Sequence, residues 1–280
     1  MGVAGEQHPP LMRSVRRATV AGAFYPSNAA RLAEEVDGLL SKARLHPGST
    51  LLKAAIVPHA GYVYSGAIAA AAYALVRAAN GRIRRVVMLG PSHFSRIQGL
   101  AVPLFEAMQT PLGEVAVDAG WVERAAGLAQ VLPRDETHSR EHSLEVQLPF
   151  LQRALGEFTV VPLTVGEAEP EVVAGVIDAL WGGKETLILV SSDLSHYLPY
   201  DLALKTDRQT AEHVLNLESV LDPNEEACGA TPINGLLRVA SKKGLRPALL
   251  DLKNSGDTAG PRSEVVGYGS FAFFETGNAD

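Results

Sequence analysis

Residues 84–94 read RRVVMLGPSHF. The apolar run at 86–89 is short and rich in valine, as a strand buried on both faces is. Gly90-Pro91 then breaks it, and the next side chain with chemistry is an imidazole, His93. The same design recurs twice. AAIVPHAGYVYSG (54–66) runs an apolar stretch into Pro58-His59, and TLILVSSDLSHY (186–197) runs another into Asp193 and His196. In open α/β sheets, ligands bind beyond the carboxyl ends of the strands. Three strand ends carrying His59, His93, Asp193 and His196 therefore predict one rim of one sheet and one site.

Working outward, helical and strand patterns alternate. A strand is expected over 18–26, then a helix from Ser27 or Asn28 with Leu32, Val36, Leu39 and Leu40 on one face. Strands follow at 51–59 and 84–93, separated by an alanine-rich helix, and then a β-rich section at 99–118. Helices are expected at 119–129, 141–155, 169–181, 201–220 and 229–243. The remaining strands are FTVVPLTVG, TLILVSSD, PALLDLKNSG and VVGYGSFAFF. This alternation predicts a mostly parallel or mixed central sheet flanked by helices. One α/β domain over 17–280 is the simplest reading, preceded by a polar, proline-bearing tail at 1–16 expected to be disordered.

The chain has 280 residues and a net charge of −6, and only the short RSVRR near the N-terminus is basic. Nucleic acid is not the expected partner. No apolar stretch reaches the roughly 18 residues of a membrane span, and no signal peptide is visible. A single cysteine, Cys228, excludes an internal disulfide and any multi-cysteine cluster. The expected location is cytoplasmic.

Two histidines plus one anionic ligand, with open positions, is the pattern of non-haem iron(II) chemistry, and it also suits zinc. The candidate anions are Asp193, Glu141, Glu145 and Cys228. Gly229 and Pro232 after the cysteine suggest a tight helix entry, where a thiol is expected to have a lowered pKa. His138-x-x-Glu141-His142 formally matches an inverted zinc-peptidase motif. That motif needs both histidines on one helix. Here 137–140 reads as a cap region, so the zinc hydrolase is a minor alternative, and His142 and Glu145 are expected to support a ligand from behind.

Six motifs in order, VPHAGYVYSG, LGPSHF, EHSLEVQLPFL, SSDLSHY, CGATPINGLL and NSGDTAG…VVGYGSFAF, resemble the Memo family, whose prokaryotic members are called AmmeMemoRadiSam system protein B. The resemblance spans about residues 18 to 275. It implies a fold similar to that of the class III extradiol dioxygenases. It implies metal ligands at His59, His93 and Cys228, and pocket residues at Asp193 and His196, the latter where the dioxygenases keep a general base. Phe24, where the animal member has Trp, and Tyr64 would line the pocket. Iron(II) is the first metal it implies, with copper or zinc as alternatives, in a redox or dioxygenase-like role. A radical SAM protein and an AMMECR-type protein are the implied partners. A non-catalytic metal- or peptide-binding accessory module is the alternative.

Overall fold

The computed structural model describes residues 14–44, 52–79, 81–219, 221–222 and 225–276. Its frame is set by strands that are apolar on both sides. Among the described residues the chain runs β1 (Val15–Arg16), α1 (Ala29–Lys42), β2 (Leu52–Val57), α2 (Tyr62–Ala78) and β3 (Arg85–Pro91). The β-rich section is β4 (Leu100–Val102), β5 (Ala107–Thr110) and β6 (Gly113–Val117). Then come α3 (Ala119–Ala126), β7 (Val131–Pro133), α4 (Asp135–Ser139), α5 (Leu148–Ala154), β8 (Thr159–Val165) and α6 (Pro170–Ala179). The chain closes with β9 (Thr186–Ser191), α7 (Tyr200–Leu215), α8 (Ala230–Lys243), β10 (Arg246–Asn254), α9 (Ser255–Thr258) and β11 (Gly267–Phe274).

One sheet joins these strands in the order β1-β5-β6-β8-β3-β9-β2-β11-β10, with β4 and β7 off its path. The centre is parallel: β8, β3, β9 and β2 pair with one another in that sense, while β11 and β10 add antiparallel strands. Successive residues of each central strand face opposite layers. Ala55, Val57, Val86 and Met88 join one core, packed with α1, α2 and α5 residues such as Leu32, Tyr73 and Phe150. Ala54, Ile56, Val87 and Leu89 join the other, under α6 and α8 residues such as Val173, Ile177 and Leu236. Each such Val, Leu or Ile contributes about 1.5–3 kcal/mol on burial. The expected single α/β domain with a mixed sheet is what the structure shows. No helix of the described residues is long and apolar enough to cross a membrane.

Three expectations need correction. The tail was expected to end at 16, but Val15–Arg16 is a strand parallel to β5, and Arg16 is buried against Glu145. Residues 1–13 lie outside the described residues. Residues 18–26 are not a strand: Gly22 adopts φ 89°, its N–H bonds the Tyr25 carbonyl, and the Thr19 and Val20 amides are taken by the Glu145 carboxylate rather than by a neighbouring strand. The helix expected over 141–155 exists only from a 3-10 turn at Glu145–Gln147 into α5. Glu141 accepts the Ser143 amide, which competes with a helical turn, and Pro149 has no N–H to give and so sits in the first turn of α5.

Candidate metal centre

The strands β2, β9 and β3 are neighbours in the sheet and parallel, so their carboxyl ends lie side by side. Chain leaving β2 carries His59, and chain leaving β3 carries His93. The two rings stand 5.2 Å apart, edge to face. Close backbone approach makes this possible. A Cβ on Gly90 would lie 2.7 Å from Ser143 Oγ, and one on Gly229 would lie 2.6 Å from Ser192 Cβ. Glycine lets the 143–144 loop close on β3, and it lets the start of α8 bring Cys228 against the end of β9.

Each imidazole is held by its far nitrogen. His59 is buried, with Nδ1 2.9 Å from Ser191 Oγ. That hydroxyl donates to the Ser143 carbonyl at 2.6 Å and accepts from Gln147 Nε2 at 2.9 Å. Its one proton is committed, so His59 Nδ1–H must donate, and Nε2 keeps its lone pair. His93 donates Nδ1–H to Glu141 Oε1 at 2.9 Å, and its backbone N–H donates to Oε2 at 2.7 Å. With Nδ1 committed to the carboxylate, Nε2 is the His93 nitrogen left for a ligand. His142 stacks on His93 with ring centroids 4.7 Å apart. Among the described residues, ligand atoms of His59, His93 and His142 all lie within 4.8 Å of one another.

Two of the rings, His59 and His142, are held toward the neutral form. Burial, then the neighbouring imidazoles, holds His59 well below its ordinary pKa, and burial lowers His142 as well. Burial alone would raise Glu141, but its bonds from His93 and Ser143 bring it down to about 2. Cys228 Sγ lies 3.3 Å from His59 Nε2. Its thiol was expected to be acidic at a helix start. Instead burial, reinforced by Asp193, pushes it up to about 12. The helix end is outweighed because the sulfur is enclosed. A bound cation would reverse this, since metal binding displaces the thiol proton. Ring nitrogens of His59, His93 and His142 within 4.8 Å of one another form a donor set that fits a transition-metal ion, and the Cys228 sulfur lies beside the His59 one.

The other expected residues divide. Asp193 is buried, with Oδ1 accepting the His59 backbone N–H at 2.7 Å, and burial raises its carboxyl to about 7. His196 Nδ1 lies 2.7 Å from the Leu194 carbonyl, which makes it the protonated nitrogen and turns the ring without help from Asp193. Phe24 packs 4.8 Å from the His142 ring. Tyr64 is half exposed and close enough to help burial and Asp193 raise the Tyr268 phenol. Glu145 spends its hydrogen bonds away from the histidines and reaches His142 through its charge. It is fully buried and takes hydrogen bonds from Arg16, Thr19, Val20 and Tyr25. His138 lies on α4 with Nε2 on the Ala101 carbonyl and its ring against Phe105, outside the histidine group. The chain turns between His138 and His142, so the peptidase motif is not assembled.

The model of the Memo-like protein family matches residues 16–272. The chain belongs to the Memo family. Relatives include MEMO1 family proteins of Sulfolobus acidocaldarius, 34% identical with 92% of this chain and 99% of the relative covered, and of Aquifex aeolicus, 36% identical over 91% and 97%. A third, from Methanosarcina barkeri, is 35% identical over 91% of this chain and 98% of its own. In this Memo protein Ser191 and Gln147, which hold His59 in place, carry no role in the sequence reading, and Glu141, a candidate ligand there, instead holds His93. The available signal was polar residues inside the otherwise apolar EHSLEVQLPF and LILVSS stretches. Such residues must find partners when buried.

Proposed function

We propose that this Memo protein is a cytoplasmic, metal-dependent redox protein related to the extradiol dioxygenases, with His59, His93 and Cys228 as its ligands. Iron(II) is the first candidate, and copper or zinc the alternatives. The observation that carries the reading is the anchoring of both imidazoles through Nδ1, which leaves Nε2 of each as the ligating nitrogen, that of His59 3.3 Å from the Cys228 sulfur. Iron or copper held there would supply one-electron and oxygen chemistry. His196, with Nδ1–H fixed by Leu194, keeps Nε2 as a proton acceptor within electrostatic reach of His93. Asp193 fixes the His59 backbone and supplies a titratable group beside the site. A radical SAM protein and an AMMECR-type protein are the partners this reading proposes.

The test is metal content after anaerobic purification. Wild type should carry about one equivalent of iron or copper, and His59→Ala, His93→Ala and Cys228→Ser should lose it, while His142→Ala retains it. Loss in His142→Ala with retention in Cys228→Ser would replace the thiol by a third imidazole. Wild type that binds no metal on reconstitution would overturn the reading. The second reading, a binding module without turnover, draws on exposed aromatics next to the site: Phe94, 6.0 Å from His142, and Tyr197, 5.9 Å from His196. Stoichiometric metal with no oxygen uptake would favour it.

A further inference from the structure

Cys228 has a second exposure. Besides meeting His59, it lines a cavity of about 280 Å³ that none of the three histidines borders. This volume lies near the lower end for small-molecule pockets, about 300 Å³. Ile97 and Val165 give it apolar walls, and Arg96 and Thr231 give it polar ones. Arg96 comes three residues after His93 on the loop leaving β3. It is exposed, and among the described residues no carboxylate pairs with it. Thr231 lies in the first turn of the 14-residue α8, whose N-cap Gly229 offers no capping side chain. Pro232 follows and brings no N–H. The positive helix end and the guanidinium thus border one small space that ends on the sulfur. A single carboxylate opposes them: Glu167 is on the same wall, its Oε2 accepting from Gln98 Nε2 at 2.6 Å.

We infer that this cavity seats a small organic acid, with its carboxylate on Arg96 and Thr231 and its apolar body against Ile97, Val165 and Cys228. A planar guanidinium recognises a carboxylate through paired N–H donors, and a hydroxyl at a helix start adds a further one. The ligand's body then flanks the candidate metal centre without displacing an imidazole. Its role as substrate rests on the metal reading above, but its binding does not require the metal.

The experiment is therefore done on metal-free protein, with 4-fluorobenzoate as the probe and fluorine NMR as the readout. Saturable binding, displaced by acetate, is expected. Arg96→Gln should weaken it about tenfold or more, and Arg96→Lys should recover part of the loss. Glu167→Gln should tighten it by removing the opposing charge, which a merely structural role for this wall would not do. Absence of saturable binding, equal affinity in Arg96→Gln, or displacement by inorganic phosphate but not by acetate would overturn the assignment. Arg96-dependent binding in a protein that takes up no metal would leave the cavity assignment standing and remove only the metal reading. Metal uptake without probe binding would do the reverse.

Discussion

Glu141 and Glu145 stand four residues apart in EHSLE, both buried and both ionised against the cost of burial, yet they serve different parts of the molecule. Glu141 turns toward the rim, where its two oxygens take the ring and the backbone of His93. Glu145 turns toward the N-terminal segment, where Arg16 Nη1 meets it at 2.6 Å. Arg16 also donates to the His138 and Glu141 carbonyls, both at 2.7 Å. On an unbroken helix the two carboxylates would share a face. The break at 140–144 sends one to the site and one to the fold. A carboxylate's role here follows from which donors surround it, and sequence spacing does not reveal that.

Mutation separates the two carboxylates. The largest effect is expected on the fold side. Arg16→Met leaves the Glu145 carboxylate buried without its cation, and should cost about 3–5 kcal/mol of unfolding free energy in urea titration. Metal bound per folded molecule should stay close to wild type. If Arg16→Met instead loses metal with little loss of stability, the division of roles fails. On the site side, Glu141→Gln removes the charge that fixes the His93 ring. It should lower metal affinity by about 10–100-fold, equivalent to roughly 1.4–2.7 kcal/mol, in a competition titration. Its stability should change less than that of Arg16→Met. A Glu141→Gln variant that binds metal like wild type would remove Glu141 from the site.

An effect of similar size, seen only as pH falls, tests the boundary between the two regions. His138 sits between them, and burial, with Arg16 nearby, lowers its pKa to about 3. Its unfolded form takes a proton below about 6.5 while the folded form does not. Stability from this group is therefore full above pH 6.5 and declines as pH falls toward 3, by about 2 kcal/mol at pH 5. Metal-free wild type and His138→Gln, compared by urea unfolding at pH 7 and pH 5, should differ in slope, the variant being flatter. Equal slopes would mean that His138 is solvated or charged in the fold.

Several parts of this were legible from residues alone. The apolar runs at 54–57, 86–89 and 187–190 read as strands because both faces of each meet a helical layer, and such burial leaves no alternation to confuse the reading. The turn residues after them placed His59, His93, Asp193 and His196 on one rim. The segment at 18–26 misled because its apolar residues pack as a turn, while its amides are satisfied by a carboxylate more than 100 residues away. Cys228 misled because local position suggested an acidic thiol, whereas enclosure by distant chain decides its pKa.

The strand-and-helix alternation, the family and the histidines at the strand ends are all readable from the residues in order. These depend on local polarity patterns and on ordered motifs, both of which are properties of the chain before it folds. Which ring nitrogen of His59 and of His93 is left for a ligand, which carboxylate holds His93, that His142 joins His59 and His93, and that the cysteine borders a cavity apart from them all follow from the closed fold. Each of these depends on hydrogen-bond donors, acceptors and surfaces brought together from remote parts of the chain, and the number of partners a buried polar atom finds is fixed only when the chain closes around it.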